Sequence, residues 1–357
     1  MNLKNKYAIG TLIQWYELEM VDEHIKSCVK MLEGIENKEN VTFVFCFSTQ
    51  QYLEKTDWDF FYRKYNNIFK VMYCSPDNIH DYHTDCLERI FQYKVQTLGF
   101  YPANHIYHYK TDKDNFYNIA AFRRDFCWEW QDKADVVLWG ETDSLWPSQT
   151  LQILDQLHEA VKSSTPKYIV NFADRRLWDN SFAPLHPKYE NVKFVDDDDW
   201  QFNSPDSGKG YMSYEQMEEI NNIPFEEINI VAFNEPRFDG SCVGFSSDLL
   251  KSGINIPKSL IHCSEDVSIG KIAKKLLGDE FVQYNISNIL HVHNRRHPRK
   301  RTGILNENNL IGKCSVQDKG TWWQVLEESS KFNYNNLFTQ QSFIKIEEVL
   351  NKIKIGD

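Results

Sequence analysis

The chain has 357 residues and a mass of 42.3 kDa, a length that suits two domains or one large α/β domain with insertions. Hydrophobic residues make up 41% of the sequence and charged residues 25%, which excludes disordered, collagen-like and coiled-coil chains. The formal net charge of −11 makes the protein a poor general binder of polyanions, so a nucleic-acid role would need a local basic patch.

The eight cysteines are scattered without a C-x-x-C motif, a pattern typical of reduced, buried thiols in a cytoplasmic protein. The short apolar stretch at 7–13 is soon followed by acidic residues, so it does not resemble a signal peptide. No apolar run approaches the roughly 20 residues that a membrane-spanning helix needs. We therefore expect no transmembrane segment and a cytoplasmic location, which is the host cytoplasm if the protein is viral.

The first part of the chain alternates strand-like and helix-like segments, recognised by their apolar periodicity. In chain order we predict strand 7–13, helix 18–33, strands 41–47 and 68–74, helix 116–132 and strand 135–139. Alternation of this kind predicts an α/β fold with a mostly parallel sheet and helices on both faces.

After Pro147 the alternation continues and is then interrupted. We predict helix 148–162, strand 167–173, about fifty residues of long loops, ordered segments at 228–233 and 240–252, helix 265–277 and an amphipathic helix near 342–354. Loops of such length inside a compact domain are usually functional or mobile, so we expect them to cover a site.

Several common signatures are missing from the sequence. It has no G-x-G-x-x-G after a strand, no complete P-loop, no H-E-x-x-H and no G-x-S-x-G. The sheet pattern is therefore present without the motifs of dehydrogenases, NTPases, zincins or esterases.

The most informative stretch is DVVLWGETDSLWP at 135–147. It places Glu141 and Asp143 directly after a buried strand, at the sheet edge where open α/β sheets bind ligands. Two carboxylates on one turn suit a hard divalent cation that also binds phosphate oxygens. The alternative is an ordinary surface turn, in which Asp is common.

A second acidic pair, Glu265 and Asp266, opens the helical segment EDVSIGKIAKKLL. A helix capped by Ser264, with acidic residues favoured by the helix dipole, is the ordinary structural explanation. It leaves unexplained the neighbouring segments FDGSCVGFSSDLL at 238–250 and HVH at 291–293.

Taken in order, these segments resemble the glycosyltransferases of GT-A fold, especially the inverting ones. The order is a strand, ETD, a long loop, G-S-x-V-G-F, ED at a helix start and then histidine, over about residues 7–295. In that family a D-x-D motif holds Mn²⁺ or Mg²⁺ against a nucleotide-sugar diphosphate, and an Asp near a later helix start is the base. In some members a C-terminal His completes the metal ligands. The resemblance implies a hexosyl- or pentosyltransferase with a nucleotide-sugar donor, expected to be a UDP-sugar.

The resemblance also implies roles for individual residues. The matching positions are, for the metal, Glu141, Asp143 and His291 or His293, and, for the base, Asp266 or, as the alternative, Glu265. Glu replaces the first Asp of the motif, and this leaves the metal geometry open because the longer side chain can also bind through water. The segment FSTQQYLE lacks the Asp usually seen near the nucleoside, so the donor base is not assigned by analogy.

Other residues are candidates for binding the donor. Trp15 stacks on the nucleobase or closes the core, and Arg123 and Arg124 meet the diphosphate or lie on a helix surface. The basic run HVHNRRHPRKR at 291–301 neutralises the diphosphate as a flap or holds an anionic acceptor. The candidates for the donor site are Trp15, Arg123, Arg124, Thr142, Arg295 and Arg296.

The leading hypothesis is the metal-dependent transfer of a sugar, with inversion at its anomeric carbon, onto a glycan or a lipid-linked sugar. Residues 1–147 would bind the nucleotide sugar, residues 148–300 would hold the acceptor and the base, and residues 301–357 would form an extension. The same chemistry on a hydroxylated DNA base, as in bacteriophage DNA glycosyltransferases, is an alternative. A flipped base needs stacking aromatics and a phosphate-holding groove, and the aromatic content of 14% and the basic run at 295–301 are compatible with both. A nucleotidyltransferase is a rival that lacks the expected Gly-rich N-terminal signature here. An inactive sugar-binding module is the last alternative.

Overall fold

The computed structural model describes most of the chain. The described residues are 1–14, 17–18, 21–48, 62–71, 83–99, 105–110, 119–175, 184–191, 212–260, 264–294 and 321–338. The strands are β1 Tyr7–Gln14, β2 Val41–Ser48, β3 His105–Lys110, β4 Val136–Gly140, β5 Ser144–Leu145, β6 Lys167–Ala173, β7 Ile230–Phe233, β8 Cys242–Ser246, β9 Phe281–Leu290 and β10 Val292–His293.

The helices alternate with these strands through much of the chain. They are α1 Val21–Met31, α2 Asn66–Val71, α3 His83–Thr97, α4 Ile119–Trp130, α5 Thr150–Val161, α6 Tyr214–Asn221, α7 Ser247–Lys251, α8 Glu265–Leu277 and α9 Thr321–Asn335. Short 3-10 helices lie at Lys38–Asn40, Pro187–Tyr189, Phe225–Glu227 and Gly278–Glu280. Within the described ranges, no helix combines the length and apolar character needed to cross a bilayer.

The main sheet has the strand order β3-β2-β1-β4-β8-β6-β9-β7. Strands β7 and β8 run antiparallel to the others, which are mutually parallel. The predicted α/β class with a mostly parallel sheet flanked by helices is therefore confirmed. A separate two-stranded ladder joins β5 to β10.

Two apolar cores cover the two faces of the sheet, because successive side chains of a strand point to opposite faces. On β4, Val136 and Leu138 pack in the core that contains residues of α1, α3 and α5. Val137 and Trp139 pack in the core that contains residues of α4 and α8. Burying a large apolar side chain contributes about 1.5–3 kcal/mol, so this double coverage fixes β4 at the centre of the fold.

Most elements agree with the sequence-based predictions. The strand at 167–173 and the helix at 265–277 match their predicted bounds, and strands β1, β2 and β4 match within one residue. The four cysteines whose side chains are described, Cys28, Cys46, Cys127 and Cys242, are buried free thiols as expected.

Two predictions about local structure are wrong. The strand predicted at 68–74 overlaps α2, because a short apolar run is compatible with a buried strand or a buried helix. The loop predicted after 173 contains α6, which begins with a capping box between Ser213 and Gln216. That box is a sequence signal for a helix start. The helix predicted near 342–354 lies outside the described residues.

Candidate functional site

The ETD segment forms a tight turn at the carboxyl end of β4. The Ser144 N–H donates to the Glu141 carbonyl (3.0 Å), which closes the turn, and the Ser144 hydroxyl also donates to that carbonyl (2.7 Å). The Glu141 N–H donates to the Ser241 carbonyl (3.0 Å) on the neighbouring chain segment. Thr142 and Asp143 are buried, at 2% and 5% exposure, so the ordinary surface-turn interpretation does not hold for them.

His24 of α1 is hydrogen bonded to this turn. Its Nδ1 hydrogen bonds with the Ser144 carbonyl (2.8 Å), so Nδ1 carries the proton, and its Nε2 accepts from the Thr11 hydroxyl (2.9 Å). Burial lowers the pKa of His24 to about 4, so the ring is neutral at neutral pH. A Cβ added at Gly140 would lie 2.9 Å from Trp146 Nε1, which explains why the residue before the turn is glycine.

The β5–β10 ladder brings the HVH segment to the same turn. His293 pairs with Ser144 in this ladder, and the Asn294 N–H donates to the Asp143 carbonyl (2.6 Å). His293 Nε2 then lies 3.2 Å from Glu141 Oε2 and 3.4 Å from Asp143 Oδ1. We call Glu141, Asp143 and His293 the outer trio, because their ligating atoms all lie within 4.8 Å of one another and Glu141 is about one third exposed.

A second group of the same composition lies directly behind it. Asp174, Asp239 and His291 also bring one ligating atom each within 4.8 Å, and all are at most 4% exposed. We call them the inner trio. The two trios meet where His293 Nδ1 lies 3.2 Å from Asp239 Oδ2. Of the two histidines in the HVH motif, His293 therefore joins the ETD carboxylates and His291 lies in the inner trio.

The acidic pair opens α8 beside these trios. Ser264 has a positive φ of 63° and makes no side-chain capping hydrogen bond, so the predicted Ser264 cap is absent. A positive φ costs energy in a residue with a Cβ, and such residues cluster at functional sites. The Asp266 carboxylate lies against Gly240, where an added Cβ would overlap it. Asp266 is half-buried and Glu265 is buried.

Arg123 of α4 connects the two acidic segments. Its guanidinium donates to Glu265 Oε1 (2.7 Å), to Glu141 Oε1 (2.6 Å) and to the Gly240 carbonyl (2.8 Å). It also lies 5.0 Å from the centre of the Trp139 ring, within the range of a cation–π contact. At 1% exposure, Arg123 is a buried connector and the surface-helix alternative is wrong.

Electrostatics distinguishes the carboxylates of the site. Burial opposes the charge on Glu141, but hydrogen bonding with His293 and the charge of Arg123 outweigh it and hold its pKa below the ordinary value. Burial raises the pKa of Asp266, and Arg123 offsets this only in part. A carboxylate with a raised pKa is a better proton acceptor near neutral pH.

Opposing effects also act on His293 and the inner trio. Burial disfavours charge on His293, but Asp239 and Asp143 outweigh it and hold its pKa well above the ordinary value. Burial and the charge of Asp239 raise the pKa of Asp174 well above its ordinary value. The pKa of Asp239 is shifted in the opposite direction. The charge of His293 outweighs the effect of burial and lowers the pKa of this carboxyl group.

The remaining predicted donor residues have different placements. Thr142 is buried in the ETD turn, and the Arg124 guanidinium meets Asp125 at the surface of α4 (Nε–Oδ1 3.8 Å). Trp15, Arg295 and Arg296 lie outside the described residues.

Sequence reasoning assigned no role to several residues that build the site. Asp239, Gly240 and Ser241 are part of the segment FDGSCVGF, whose sequence indicates only the family resemblance. Their adjacency to Glu141 comes from the antiparallel pairing of Gly140 with Cys242. His24 carries no local signal, because a single histidine in an amphipathic helix is compatible with an ordinary core position.

The donor set of the outer trio fits a divalent cation. Two carboxylates suit Mg²⁺ or Mn²⁺, and an imidazole is a common ligand for transition metals. Carboxylates also outnumber cationic side chains around it in the part of the chain that the structure describes. The carboxylates are Glu141, Asp143, Asp174, Asp239, Glu265 and Asp266, and the basic groups linked to them are Arg123, Arg175, His291 and His293.

Comparison with known proteins gives only distant likenesses. No protein-family model matches the sequence, and no curated protein matches it. Among solved structures, a mannosyltransferase from Pyrobaculum calidifontis in complex with GDP-Man and Mn²⁺ is 12% identical with a TM-score of 0.43, over 92% of this chain and 70% of that chain. Residues 1–349 of S. aureus TarS are 12% identical with a TM-score of 0.35, over 96% and 76%.

A mycobacterial protein is 11% identical with a TM-score of 0.37, over 89% of this chain and 77% of that chain. At such identities and scores the likeness is partial. Function is therefore inferred from the residues of the site itself.

Proposed function

We propose that the protein is a metal-dependent, inverting glycosyltransferase of GT-A fold, using a nucleotide sugar as donor and a carbohydrate hydroxyl as acceptor. The observation that carries the proposal is the outer trio at the carboxyl end of β4, with the Asp266 carboxylate held beside it across Gly240. This arrangement supplies what the reaction needs, which is a place for the leaving diphosphate and a base for the acceptor.

Glu141, Asp143 and His293 would hold the cation. When bound, it would stabilise the negative charge that develops on the departing nucleoside diphosphate. Glu141 is held for this task by Arg123, because the guanidinium occupies Oε1 (2.6 Å) while Oε2 faces His293 (3.2 Å). Asp143 is fixed by the ladder bond from Asn294 to its own carbonyl.

Asp266 would be the base. The acceptor oxygen attacks the anomeric carbon as the bond from that carbon to the phosphate oxygen breaks, and Asp266 takes the hydroxyl proton. Attack opposite the leaving group inverts the anomeric centre. Glu265 is the weaker candidate because Arg123 already occupies its Oε1 (2.7 Å) and it is 5% exposed.

The nucleoside and the sugar are to be found by thermal shift, since a ligand that binds the native state raises its apparent stability. We would screen nucleoside diphosphates and nucleotide sugars, UDP- and GDP-sugars included, each with and without Mn²⁺. We expect one nucleotide to stabilise the protein only when Mn²⁺ is present. The matched variant Asp143→Ala should lose that metal-dependent shift.

A protein that no nucleotide stabilises, with or without metal, would remove the support for this proposal. Stabilisation that is equal in Asp143→Ala would instead move the donor site away from the outer trio. Product release on mixing donor with an acceptor panel then distinguishes an enzyme from an inactive sugar-binding module. That panel should contain glycans and DNA with hydroxymethylated bases, so that it also tests the DNA alternative.

A further inference from the structure

The His293 ring uses its two nitrogens on opposite sides. Nε2 faces the outer trio, 3.2 Å from Glu141 Oε2 and 3.4 Å from Asp143 Oδ1. Nδ1 faces Asp239 Oδ2 at 3.2 Å. Asp239 thus contacts the histidine from behind, on the side away from the position where a cation would bind.

Asp239 is itself held firmly. Its Oδ1 accepts the Ser241 N–H (2.7 Å), and its side chain is buried. The segment is anchored to the ETD turn, because the Glu141 N–H donates to the Ser241 carbonyl (3.0 Å). The Ser241 hydroxyl in turn hydrogen bonds with His291 Nε2 (2.8 Å). The carboxylate behind His293 and the carboxylates in front of it therefore belong to one hydrogen-bonded frame.

This placement has a consequence for histidine chemistry. A histidine binds a cation through the lone pair of an unprotonated ring nitrogen, and the hydrogen bond of the other nitrogen decides which one is free. A carboxylate that accepts from one ring N–H fixes the tautomer and orientation and raises the basicity of the other nitrogen. With Nδ1–H donated to Asp239, Nε2 is the nitrogen that faces Glu141 and Asp143, and a cation bound there would take the place of the Nε2 proton.

We propose that Asp239 is the positioning residue for His293, holding Nε2 as a ligand of the divalent cation in the outer trio. This inference rests on the proposed function, because it concerns the same cation. The inner trio then supports the outer trio and is not a second cation site. Both oxygens of Asp239 are already engaged, one by the Ser241 N–H and the other by the His293 ring.

The test measures Mn²⁺ binding to the full chain by titration calorimetry and by electron paramagnetic resonance, without any activity assay. The proteins are wild type, Asp239→Asn, His293→Ala and the double variant. We expect one tightly bound ion per wild-type chain and a loss of about 10–100-fold in affinity for Asp239→Asn. His293→Ala should lose at least as much, and the double variant should equal His293→Ala, because Asp239 acts only through that ring.

The control is Asp155→Asn. Asp155 is equally buried and accepts from Asn5 and Tyr7 at the amino end of β1 (both 2.9 Å), far from the carboxyl end where the trios lie. It should lose stability to denaturant while keeping wild-type Mn²⁺ affinity. Pulsed resonance should also show ¹⁴N coupling to the bound Mn²⁺ in wild type, weakened in Asp239→Asn and absent in His293→Ala.

Three results would overturn the inference. They are unchanged affinity in Asp239→Asn, losses that simply add in the double variant, and two ions bound per wild-type chain, which would make the inner trio a cation site. Wild-type protein that binds no Mn²⁺ even with the nucleotide found by thermal shift would instead refute the proposed function. The two failures are therefore distinguishable.

Discussion

The outer and inner trios contain the same side chains, two carboxylates and one histidine, yet their surroundings give them different chemistry. The outer trio includes the partly exposed Glu141, whose pKa is held below its ordinary value by the hydrogen bond with His293 and the charge of Arg123. The inner trio is buried throughout, and burial and the charge of Asp239 raise the pKa of its Asp174 well above the ordinary value. Composition alone therefore does not make a ligand site; access and charge balance decide it.

The largest effect should come from Asp266, the carboxylate beside the outer trio that we propose as the base. Asp266→Asn keeps the shape of the side chain but cannot take the proton, so we expect transfer to fall by about 10²–10⁴-fold. Donor and Mn²⁺ affinities should stay within a few fold of wild type. Steady-state transfer and equilibrium binding, measured side by side, check this. Wild-type rates of sugar transfer by Asp266→Asn would refute the base role of Asp266. A larger loss in Glu265→Gln would assign that role to Glu265.

The next largest effect concerns the link between the outer trio and the acidic pair. Arg123→Met removes the cation between Glu141 and Glu265 while keeping an apolar stem against Trp139. Breaking a buried ion pair from one side costs about 3–5 kcal/mol, so the free energy of unfolding should fall by this order. Denaturant titration measures it.

A control for Arg123→Met is Arg124→Met on the same helix, whose side chain is partly exposed and which should change stability by less than about 1 kcal/mol. Equal losses in the two variants would show that Arg123 contributes only as helix surface. Such a result would break the argument that Arg123 distinguishes the outer trio from the inner one.

A direct comparison of the trios exchanges one carboxylate in each. Asp143→Asn should reduce Mn²⁺ affinity by at least about 100-fold, because it removes a charged ligand. Asp174→Asn should change the affinity by less than about threefold, which is under 1 kcal/mol, because Asp174 lies in the inner trio and is not one of the proposed ligands. Calorimetric titration gives both values, and comparable losses in the two variants would refute the distinction between outer and inner trios.

The smallest effect is the pH dependence of the turn that carries the outer trio. His24 has a pKa of about 4 in the folded protein against an ordinary value of 6.5. Between these pH values the unfolded chain binds a proton that the folded protein does not. The stability that the neutral ring contributes is therefore present above pH 6.5 and is lost as the pH falls towards 4, by up to about 3 kcal/mol.

The measurement is the free energy of unfolding from pH 7 to pH 4 for wild type and His24→Gln. We expect a shallower decline in the variant, whose side chain does not titrate. Parallel curves for the two proteins would mean that His24 is not held neutral beneath the ETD turn.

Much of the fold could be predicted from the sequence because its signals are local. Strand β2 is a continuous apolar run, which a strand buried on both faces requires. Helix α8 has an acidic first turn and a basic last turn that agree with its dipole. The failure at 68–74 has a local cause too, because a short apolar run does not choose between a strand and a helix.

The candidate site was predictable only in its acidic segments. Glu141, Asp143 and the pair at 265–266 each stand next to a strong element signal, so their place at a strand end or helix start could be stated in advance. The choice between His291 and His293 could not be predicted, since the two histidines flank Val292 and no local signal separates the one before the two-residue strand β10 from the one inside it. The register of that strand against β5 makes the choice.

The sequence by itself determined the class of fold and the kinds of side chain available, because periodicity and residue chemistry are properties of neighbouring positions. Tertiary structure alone decided which carboxylates share a cluster, which of them have a raised pKa and which histidine faces Glu141 and Asp143. Those outcomes depend on burial and on contacts such as Arg123 with Glu265 and Asp239 with His293. The partners lie 142 and 54 positions apart along the chain, and no local pattern encodes such pairings.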